Sequence, residues 1–573
     1  MPRKKQTKYI IITGGIVSGI GKGLAAASIA TLLKSKGIDC LNVKVDPYLN
    51  RDAGTMNPYQ HGEVFVLDDG TETDLDLGHY ERFSGVSLDR LSNFTTGAVY
   101  ESVMKMERRG DFLGKTIQII PHVTDEIKRR IVEAGRKRKA DVVIVEIGGT
   151  VGDIEAEPYV EAARQMFWDF GRNNLLFIHV VKIDYIFPSG EEKTKPIQQS
   201  VTLFQGRGIQ PDFLIVRSKR PIAKENKDKI ALFTNVRPDH IIPAVDVLSI
   251  YDVPIHLKEA KLDTLIMRRF GIAPRKNDMR KWTALARKLG KFRRTVKIAL
   301  IGKYVAHVDA YISVEEALKH AALHAGTNLE LVRIDSERPD FLKEFKGVQG
   351  IVIPGGFGKR GGEGKVKAVE YARTHKVPFL GLCLGLQIAV IEFARHVCGL
   401  KRANSTEFDS RTPHPVIDIL PEQLQVKELG GTMRLGAAGM VLKKGTRAEA
   451  LYGARKAEER HRHRYEVNPD YRETLESKGL VVSGVAEKAA HLVDMIEITD
   501  HPFFVATQAH PEFLSRFLHP HPLFSGFIKA AMRPKSKEKR PARIATRSVA
   551  GGKKKKESAK RGKPKRKPKK KKR

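Results

Sequence analysis

The chain has 573 residues, 41% of them hydrophobic, which is enough for two to four globular domains of about 100–200 residues each. All apolar runs are shorter than the roughly 20 residues of a membrane-spanning helix, and the run after the basic start is too short for a signal peptide. Three cysteines argue against a disulfide framework and favour a reducing, cytoplasmic compartment with no membrane partner. The net charge of +36 would suit a nucleic-acid-binding protein, but the charge is unevenly placed.

Short β-branched runs alternate with helical patterns, as in proteins whose parallel sheets are covered by helices on both faces. In the first half of the chain we predict strands at residues 9–12, 41–45, 141–145, 175–180 and 212–216. A second series of predicted strands lies at residues 296–301, 329–334, 350–353 and 378–382. The pattern predicts an α/β protein with two doubly wound parallel-sheet domains.

A glycine-rich segment, residues 13–23, follows the first predicted strand and precedes an apolar helix predicted at residues 24–35, with Gly37 as its C-cap. Glycines let backbone N–H groups face phosphates, the helix N-terminus adds positive charge, and Lys22 can neutralise phosphate oxygens. The segment departs from a standard Walker A loop, because Gly23 stands where Ser or Thr would hold magnesium. We predict a phosphate-binding loop with its metal ligands elsewhere; the alternative is a glycine-rich turn without function.

Two acidic positions are candidate magnesium ligands. The segment 72–79 carries several carboxylates, among them Asp76, and Glu146 stands at the carboxyl end of the predicted strand 141–145. Ligands bind at that end of a parallel sheet, and Mg²⁺ prefers one or two carboxylates with phosphate oxygens and water. Taken singly, each acid would be a solvated loop residue; together with the phosphate loop, Asp76 and Glu146 predict a magnesium site.

A cysteine stands at a sharp strand-to-helix junction in the second half. The predicted strand 378–382 runs into a Gly-x-Cys-x-Gly sequence around Cys383, which resembles a nucleophile elbow with Cys in place of Ser. A helix N-terminus favours the thiolate, and the glycine-rich segment 354–358 can supply the backbone donors of an oxyanion hole. Cys40 and Cys398 have no such elbow and are expected to be small buried residues.

His510 is the candidate base for Cys383, because Glu512 could orient its ring. Taken alone, one His among 19 is more often structural or exposed. The segment 460–464 reads Arg-His-Arg-His-Arg, and the sequence leaves open a nucleic-acid patch, an anion site or a metal site. The metal site is the weakest of the three, because no Cys or paired acid accompanies the segment.

Composition predicts the domain boundaries. Residues 274–295 are basic and poor in apolar side chains, so we predict a linker with a helix around residues 282–289. Residues 533–573 carry 22 Lys or Arg and two Glu with almost no large apolar side chains, which predicts a disordered Lys-rich tail. Two α/β domains, at residues 1–273 and 296–532, flank the linker. The tail is either an inert extension or an arm that binds polyanions.

From about Tyr9 to Phe527 the chain resembles CTP synthases. The matching segments are Gly-Gly-x-Val-Ser-x-x-Gly-Lys-Gly at residues 14–23, then residues 44–48, 60–64, 72–82, 145–155 and 193–198, and both glutaminase motifs. The resemblance implies a P-loop-like amidoligase domain followed by a flavodoxin-like class I glutamine amidotransferase domain. ATP, as co-substrate with Mg²⁺, would phosphorylate the 4-oxygen of UTP, and ammonia from glutamine would displace the phosphate to give CTP. Free ammonia would also serve, and the reaction belongs to pyrimidine biosynthesis.

The resemblance also implies site residues. The ATP-binding residues would be Gly19, Ile20, Gly21, Lys22, Gly23, Leu24, Asp76, Val245, Asp246 and Val247, with magnesium held by Asp76 and Glu146. UTP, or CTP as a feedback inhibitor, would be bound by Ser18, Asp153, Ile154, Glu155, Lys193, Thr194, Lys195, Pro196, Ile197, Gln198 and Lys229. Cys383, His510 and Glu512 would form the triad, and glutamine would be held by Gly356, Leu384, Gly385, Leu386, Gln387, Glu407 and Arg464.

Further implications concern regulation and assembly. Lys44 would help Lys22 to stabilise the transferred phosphoryl group, and His61 would lie on the route of ammonia. GTP would be an allosteric activator with residues 359–364 as its lid, and the chain would form a homotetramer that could stack into filaments. The chain departs from the family pattern at Gly19, where a second Ser is common, at Ala509, where an aromatic residue is common, and in the tail.

Two rival interpretations follow from the same features. Another glutamine-dependent ligase, acting on a cobyrinate or biotin precursor, could share the phosphate loop, but residues 74–82 and 193–198 argue against it. A nucleic-acid-binding protein would explain the basic composition. However, residues 533–573 alone account for a net charge of +20, so most of the excess charge lies in the tail rather than on the predicted domains.

Overall fold

The computed structural model of the chain describes residues 6–15, 17–273, 275–276, 278–305, 307–419 and 433–533. The predicted tail therefore lies outside the described residues, except for Arg533. No helix in the described part of the chain is both long and apolar enough to span a membrane.

The described residues of the first half form eleven strands, of which seven make up one fully parallel sheet. In chain order the strands are β1 (Lys8–Gly14), β2 (Cys40–Asp46), β3 (Phe65–Val66), β4 (Glu72–Thr73), β5 (Asn93–Thr95), β6 (Val142–Ile147), β7 (Leu175–Lys182), β8 (Asp184–Ile186), β9 (Glu191–Lys193), β10 (Phe213–Ser218) and β11 (Ile241–Val245). The large sheet has the order β11-β10-β7-β1-β6-β2-β5, and β3-β4 and β8-β9 are two small antiparallel pairs. All five strands predicted in this half are present in the parallel sheet.

Helices cover this sheet. They are α1 (Lys22–Lys34), α2 (Pro58–His61), α3 (Leu75–Ser84), α4 (Thr96–Arg108), α5 (Thr124–Arg138), α6 (Glu157–Phe170), α7 (Lys195–Gln205), α8 (Lys224–Thr234), α9 (Val253–Glu259), α10 (Leu262–Arg269) and α11 (Arg280–Ala286). Helix α1 follows the glycine-rich segment as predicted, but Ser35 rather than Gly37 is its C-cap. Gly37 instead takes a left-handed conformation two residues after the C-cap, where its N–H donates to the carbonyl of Lys34 at 2.8 Å.

The described part of the second half contains twelve strands, of which nine form one sheet and β16, β17 and β20 form a separate small sheet. In chain order the strands are β12 (Thr295–Gly302), β13 (Asn328–Asp335), β14 (Gly350–Ile353), β15 (Phe379–Leu382), β16 (Asn404–Ser405), β17 (Pro415–Ile419), β18 (Arg434–Leu442), β19 (Lys456–His463), β20 (Tyr465–Val467), β21 (Val481–Ala486), β22 (Ala489–Glu497) and β23 (Phe504–Thr507). Its helices are α12 (Ile312–Ala325), α13 (Gly362–Thr374), α14 (Leu384–His396), α15 (Arg447–Tyr452), α16 (Arg472–Ser477) and α17 (Pro522–Ala531).

This sheet, in the order β13-β12-β14-β15-β23-β22-β21-β18-β19, is parallel only in part. The first five strands run parallel and include all four predicted strands. The last four extend the sheet in antiparallel fashion, which the sequence pattern does not predict. The α/β fold class is confirmed, with this antiparallel extension added to the parallel core.

The predicted linker contains the expected helix, α11. Trp282 on this helix is buried, and its indole N–H donates to the carbonyl of Tyr251 at 2.8 Å. Tyr251 in turn stacks on Phe517 of the second half, with ring centroids 4.1 Å apart. The linker is therefore packed into a core that the two halves share, which fixes how their sites face each other.

Candidate active site

The phosphate loop lies between the carboxyl ends of β1 and β6. Lys22, the first residue of α1, donates a hydrogen bond from Nζ to the carbonyl of Gly149. Burial lowers the pKa of Lys22, against the opposing attraction of Glu146. Gly21 precedes the helix with φ 104°, a left-handed conformation that favours glycine. The loop thus presents a buried ammonium group beside a helix N-terminus, as a phosphate site requires.

Lys44 on β2 stands among the candidate metal ligands. Its Nζ contacts Asp76, lies 3.3 Å from Glu146 and lies 3.7 Å from Asp46. Burial disfavours the charge on Lys44, but these carboxylates outweigh it and raise its pKa well above the usual value. For Glu146, burial itself disfavours the charged form and raises the pKa. The carboxylate of Glu146 also accepts a hydrogen bond from the hydroxyl of Tyr80. The cluster is a buried, charge-compensated site.

The two predicted magnesium ligands face the same point in space. A Cβ built on Gly23 would lie 2.3 Å from Oδ1 of Asp76 and 3.2 Å from Oε2 of Glu146, so only glycine fits there. Two carboxylates at the end of a phosphate loop match the preference of Mg²⁺ for a few carboxylates plus phosphate oxygens. Among the described residues no group of three or more His, Cys, Asp or Glu could hold a metal alone. The residues therefore fit a magnesium ion that arrives with a nucleotide.

A buried histidine that the sequence analysis did not single out connects this loop to α7. His179 is hydrogen-bonded through Nδ1 to Thr13 and through Nε2 to Ser200, both at 2.8 Å. Burial, with the nearby charge of Lys22, lowers its pKa to about 3, so the ring is neutral. His179 thereby holds α7 against the phosphate loop. A single His within a buried strand gives no sequence signal for such a role.

Cys383 occupies the predicted elbow. It lies between β15 and α14 with φ 50° and ψ −101°, a strained conformation for a residue with a side chain. Its backbone N–H donates to the carbonyl of Thr507 at 2.7 Å, which anchors the elbow to β23. The sulfur lies 3.8 Å from the carbonyl oxygen of Arg462 and 3.7 Å from Nε2 of Gln508. Cys383 is buried, whereas Cys398 is only half-buried and Cys40 is a buried strand residue.

His510 and Glu512 complete the predicted constellation. His510 Nδ1 lies 2.8 Å from Oε1 of Glu512, and Nε2 has no hydrogen-bond partner among the described residues. Burial opposes protonation of the ring, but the charges of Glu512 and Cys383 outweigh it and raise the pKa of His510 to about 10. A Cβ on Gly355 would lie 2.6 Å from His510 and 3.6 Å from Cβ of Cys383, so the glycine-rich segment closes over both. The arrangement can perform nucleophilic acyl transfer.

A cavity of about 450 Å³ opens on Cys383 and His510. Its walls come from both halves of the chain: Gly54, Thr55, Met56, Glu63 and Val64 of the first half, and Gly356, Glu407, Arg464 and Tyr465 of the second among others. Glu407 accepts the backbone N–H of Gly358 at 2.6 Å, and burial raises its pKa. The predicted triad thus shares one cavity with residues of the phosphate-binding half of the molecule.

The Arg-His-Arg-His-Arg segment forms strand β19 and the residue after it. Arg460 is fully buried and binds Glu81 of the first half through two hydrogen bonds of 2.8 and 3.0 Å. Arg516 donates a third hydrogen bond to Glu81, at 2.6 Å. Removing one partner would leave a buried charge unpaired, at a cost of about 3–5 kcal/mol. Of the three interpretations left open, the structure favours an anion site, and the anions bound by Arg460 and Arg516 are carboxylates of the first half.

Comparison with known proteins finds a matching family for each half of the chain. Residues 8–272 match the family model described as CTP synthase N-terminus, and residues 306–530 match glutamine amidotransferase class-I. A CTP synthase of Geobacillus kaustophilus is 53% identical over 530 residues, which cover 92% of this chain and 100% of that protein. A CTP synthase of Thermus thermophilus is 53% identical over 532 residues, covering 92% and 97%.

The chain belongs to the CTP synthase family. One similar solved structure is a Trypanosoma brucei CTPS glutaminase domain with bound acivicin, at 37% identity, covering 41% of this chain and 93% of that chain with a TM-score of 0.39. We call residues before the linker the ligase half and those after it the glutaminase half.

Six of the ten ATP residues that the family resemblance implies line one pocket; Gly19, Lys22, Gly23 and Asp76 are outside its lining. A cavity of about 190 Å³ is lined by Ile20, Gly21 and Leu24 on one side and by Val245, Asp246 and Val247 on the other. It lies beside the phosphate loop, and its walls are mainly apolar, as a purine base requires. Arg217, which pairs with Asp246 at 2.8 Å, belongs to the same pocket, although the sequence analysis did not include it.

The residues implied for UTP and CTP lie around α7. Thr194 precedes the helix, Lys195 begins it, and Gln198 donates to Thr194 at 3.1 Å. Lys193 on β9 pairs with Glu191, and Lys229 lies on α8, which packs against α7. Ser18, Asp153, Ile154 and Glu155 are exposed; Ile154 and Glu155 lie in a short 3-10 helix (Ile154–Ala156), and Asp153 before it accepts the backbone N–H of Thr150 at 3.0 Å.

The residues implied for glutamine divide into two groups. Gly356, Glu407 and Arg464 line the cavity beside Cys383. Residues 384–387 form the first turn of α14, where Gln387 is buried and donates to the carbonyl of Tyr465 at 3.0 Å. His61, implied on the ammonia route, is exposed and faces Tyr48 with ring centroids 6.1 Å apart; it is outside the cavity lining.

Proposed function

We propose that the chain converts UTP to CTP, using ATP and the ammonia that it releases from glutamine. The observation that carries the proposal is the cavity that holds Cys383 and His510 and is walled on its far side by residues of the ligase half. Ammonia is protonated in neutral water and then no longer nucleophilic. A glutaminase that opens directly toward a ligase, within one chain, would deliver it in the reactive form.

In the glutaminase half, the Cys383 thiolate would attack the amide carbon of glutamine. The N–H groups of residues 354–358 would stabilise the developing oxyanion, and His510 would give its proton to the amide nitrogen so that ammonia leaves. Water, deprotonated by His510, would then hydrolyse the thioester to glutamate. This step would restore the thiolate of Cys383 and the protonated His510. Arg464 and Glu407 carry charges opposite to those of the glutamine carboxylate and ammonium groups.

In the ligase half, the γ-phosphoryl group of ATP would pass to the 4-oxygen of UTP, leaving ADP. Ammonia would add to the 4-carbon, lose a proton, and displace phosphate to give CTP. Lys22 and Lys44 would bind the transferred phosphoryl group, because catalysis of this step rests on positioning and charge neutralisation. When bound by Asp76 and Glu146, Mg²⁺ would neutralise phosphate charge at the same place.

The nucleotides would occupy neighbouring sites on the sheet. Adenine would enter the apolar cavity at Val245–Val247, with ATP phosphates at residues 18–24. UTP would lie along the start of α7, which His179 holds against the phosphate loop. CTP would compete there as a feedback inhibitor, because it carries the same triphosphate and differs in its base, toward which residues 153–155 would be placed.

Regulation and assembly belong to the same proposal. GTP would activate through residues 359–364, where Arg360 donates to the hydroxyl of Tyr59 in the ligase half at 3.2 Å, so that a ligand on this loop touches both halves. We also propose a cytoplasmic homotetramer. The Lys-rich tail, residues 533–573, would bind polyanions without a part in catalysis.

The test is an assay of the purified chain with UTP, ATP, Mg²⁺ and either glutamine or ammonium chloride, followed by separation of the nucleotides. The proposal expects CTP from both nitrogen sources, and ADP, phosphate and CTP in equal amounts. Replacing UTP by other carboxylate or carbonyl acceptors, including those of related glutamine-dependent ligases, should give no aminated product. Product from such an acceptor, with none from UTP, would overturn the assignment of substrate.

A further inference from the structure

Strand β19 touches the other half with its side chains and the triad with its backbone. Successive side chains of a strand point to opposite faces, so Arg460 and Arg462 share one face and His461 and His463 the other. The arginine face meets the ligase half, where Arg460 binds Glu81 and Asp68 and Arg462 binds Glu72. The histidines are buried in the glutaminase half and hydrogen-bonded to each other at 3.0 Å.

The backbone of the same two arginines contacts the triad. The carbonyl of Arg460 accepts the N–H of His510 at 2.7 Å. The carbonyl of Arg462 lies 3.8 Å from the sulfur of Cys383. A displacement of either arginine along the strand therefore reaches the base or the nucleophile directly.

Arg462 makes a further contact that Arg460 lacks. Its guanidinium stacks over the ring of Phe357, 5.1 Å from the ring centroid, and Phe357 belongs to the glycine-rich segment that closes over Cys383. On its other side, Arg462 donates to Oε1 of Glu72 at 2.6 Å and to the carbonyl of Gly54 at 3.0 Å. One side chain thus joins the oxyanion segment to the ligase half.

Glu72 lies in the segment that carries the candidate metal ligand. It is on β4, and β4 leads through Asp74, whose side chain caps α3, into the first turn of that helix, where Asp76 stands. Asp76 contacts Lys44 in the phosphate site. Only three residues separate Glu72 from Asp76, so a rearrangement of that site by a nucleotide would act close to Glu72.

The two interdomain arginines differ in their freedom to move. The side chain of Arg460 is completely buried and held by two carboxylates, so its contact with the ligase half is rigid. The side chain of Arg462 is 15% exposed, lines the cavity and has a single carboxylate partner. Arg462 is therefore the member of the pair that can respond to a change in the ligase half.

We propose that Arg462 is a positioning residue that couples the two sites. Glu72 fixes the position of its guanidinium, and Arg462 in turn fixes the position of the oxyanion segment, residues 354–358, and of the groups around Cys383. The coupling rests on the proposed function. It makes glutamine hydrolysis faster when UTP and ATP occupy the ligase half, because the Glu72–Arg462 contact then holds Phe357 and the elbow in the productive position. A coupling of this kind between two sites is worth about 5–150-fold in equilibrium terms.

The experiment compares Arg462→Lys, Glu72→Gln and the double variant with the unmodified chain. We measure CTP formation with ammonia, glutamine hydrolysis with and without UTP and ATP, and the alkylation rate of Cys383 by iodoacetamide, followed on its own peptide by mass spectrometry. Arg333→Lys is the matched control, because Arg333 binds Glu315 at 2.6 and 2.7 Å within the glutaminase half alone.

We expect each single variant to lose at least about tenfold of the acceleration by UTP and ATP, through kcat rather than KM for glutamine. The alkylation rate of Cys383 should lose its response to nucleotides, and ammonia-dependent CTP formation should stay within about twofold. The double variant should be no worse than either single one, because both remove the same contact. The control should retain the acceleration.

Several results would overturn the coupling. These are an acceleration by nucleotides that survives in both single variants, strictly additive losses in the double variant, or a parallel fall of ammonia-dependent and glutamine-dependent rates, which would indicate a structural role only. Absence of any acceleration in the unmodified chain would also overturn it. Absence of CTP from ammonia in the unmodified chain would instead contradict the proposed function, so the two failures are distinguishable.

Discussion

The glutaminase site and the phosphate site differ in how complete each one is. In the glutaminase half, Cys383, His510 and Glu512 line one cavity, His510 is paired with Glu512 at 2.8 Å, and its other nitrogen has no hydrogen-bond partner in the described part of the chain. In the ligase half, the candidate reactive groups are paired with one another: Lys44 with Asp76 and Glu146, and Lys22 with a backbone carbonyl. The first arrangement leaves a nitrogen of the candidate base open to a substrate, whereas in the second a phosphate group would have to displace internal partners.

This difference has a physical cause. Glutamine is a small, zwitterionic substrate for which a preformed pocket suffices, and thioester chemistry needs only a thiolate and a proton donor. A nucleotide triphosphate brings several negative charges, so cations placed to bind it need carboxylate partners of their own to avoid unpaired buried charge whenever it is not bound. We therefore expect changes in the triad to affect one nitrogen source and changes in the phosphate site to affect both.

Replacing the nucleophile separates the two sites most strongly. In Cys383→Ala, glutamine-dependent CTP formation should fall by at least about 10⁴-fold, because no thioester can form. Ammonia-dependent CTP formation should be retained within about twofold, since the ligase half is untouched. Cys398→Ala is the control. Cys398 is half-buried and lies just after α14, the helix that follows Cys383, so its replacement should change neither rate. Loss of both activities in a folded Cys383→Ala protein would show that the sites are not separable.

Removing the phosphate-loop lysine should affect both nitrogen sources. In Lys22→Ala, CTP formation from either glutamine or ammonia should fall by about a hundredfold or more, because one charge on the transferred phosphoryl group is no longer neutralised. Basal glutamine hydrolysis should remain measurable. Lys34→Ala, at the other end of α1 where the side chain bonds the carbonyl of Ser84, serves as the control. Near-normal ammonia-dependent synthesis in Lys22→Ala would remove this lysine from the mechanism.

The pH dependence of glutamine hydrolysis tests the pairing of His510 with Glu512. The pKa of His510 is raised to about 10 in the folded chain, so the imidazolium persists below that pH and is lost above it. The proton that His510 would give to the leaving amide nitrogen is therefore retained from pH 7 to 9, and glutamine hydrolysis should be nearly constant over that range. In Glu512→Gln the pKa of His510 falls, because the main charge that favours the imidazolium is removed, so glutamine hydrolysis should fall by about tenfold or more and begin to decline at a lower pH. A pH profile unchanged by the substitution would mean that Glu512 does not support the charge on His510.

The tail provides the smallest expected effect on catalysis. Truncation after Met532 removes a net charge of +20 but none of the residues proposed for either site. CTP formation from both nitrogen sources should stay within about twofold, and binding to a polyanion such as heparin at low salt should be largely lost, because such binding depends on counterion release. If full-length and truncated proteins bound heparin equally, the basic surface would lie on the α/β domains instead.

The sequence predicts the structure correctly where the local pattern of apolar residues matches their burial in the fold. The parallel strands are continuous apolar runs, and all nine predicted ones are present because nothing but a sheet buried on both faces accommodates them. The elbow at Cys383 could be predicted because a glycine pattern marks it, and the contact of His510 with Glu512 because their spacing in the sequence permits it. Asp76 and Glu146 could be paired because both follow from the position of the phosphate loop.

What the sequence could not reveal depends on contacts between distant residues. Strand β19 has many charged residues and none of the apolar alternation that predicts a strand, because carboxylates about 390 residues earlier satisfy its arginines. His179 has no local signal, since its role depends on Thr13 and Ser200 on either side. The linker was predicted from its basic, apolar-poor composition, which gives no sign that Trp282 packs it into the shared core.

The transfer of nitrogen between the two sites tests the central claim most directly. We would supply the full chain with UTP, ATP, Mg²⁺ and glutamine labelled with ¹⁵N in its amide, in the presence of unlabelled ammonium chloride at equal concentration, and measure the isotope in the 4-amino group of CTP. The account predicts CTP that carries mostly ¹⁵N, because ammonia released at Cys383 reaches the ligase half without mixing with the solvent. CTP whose label matches the diluted ammonium pool, or no CTP at all, would contradict it.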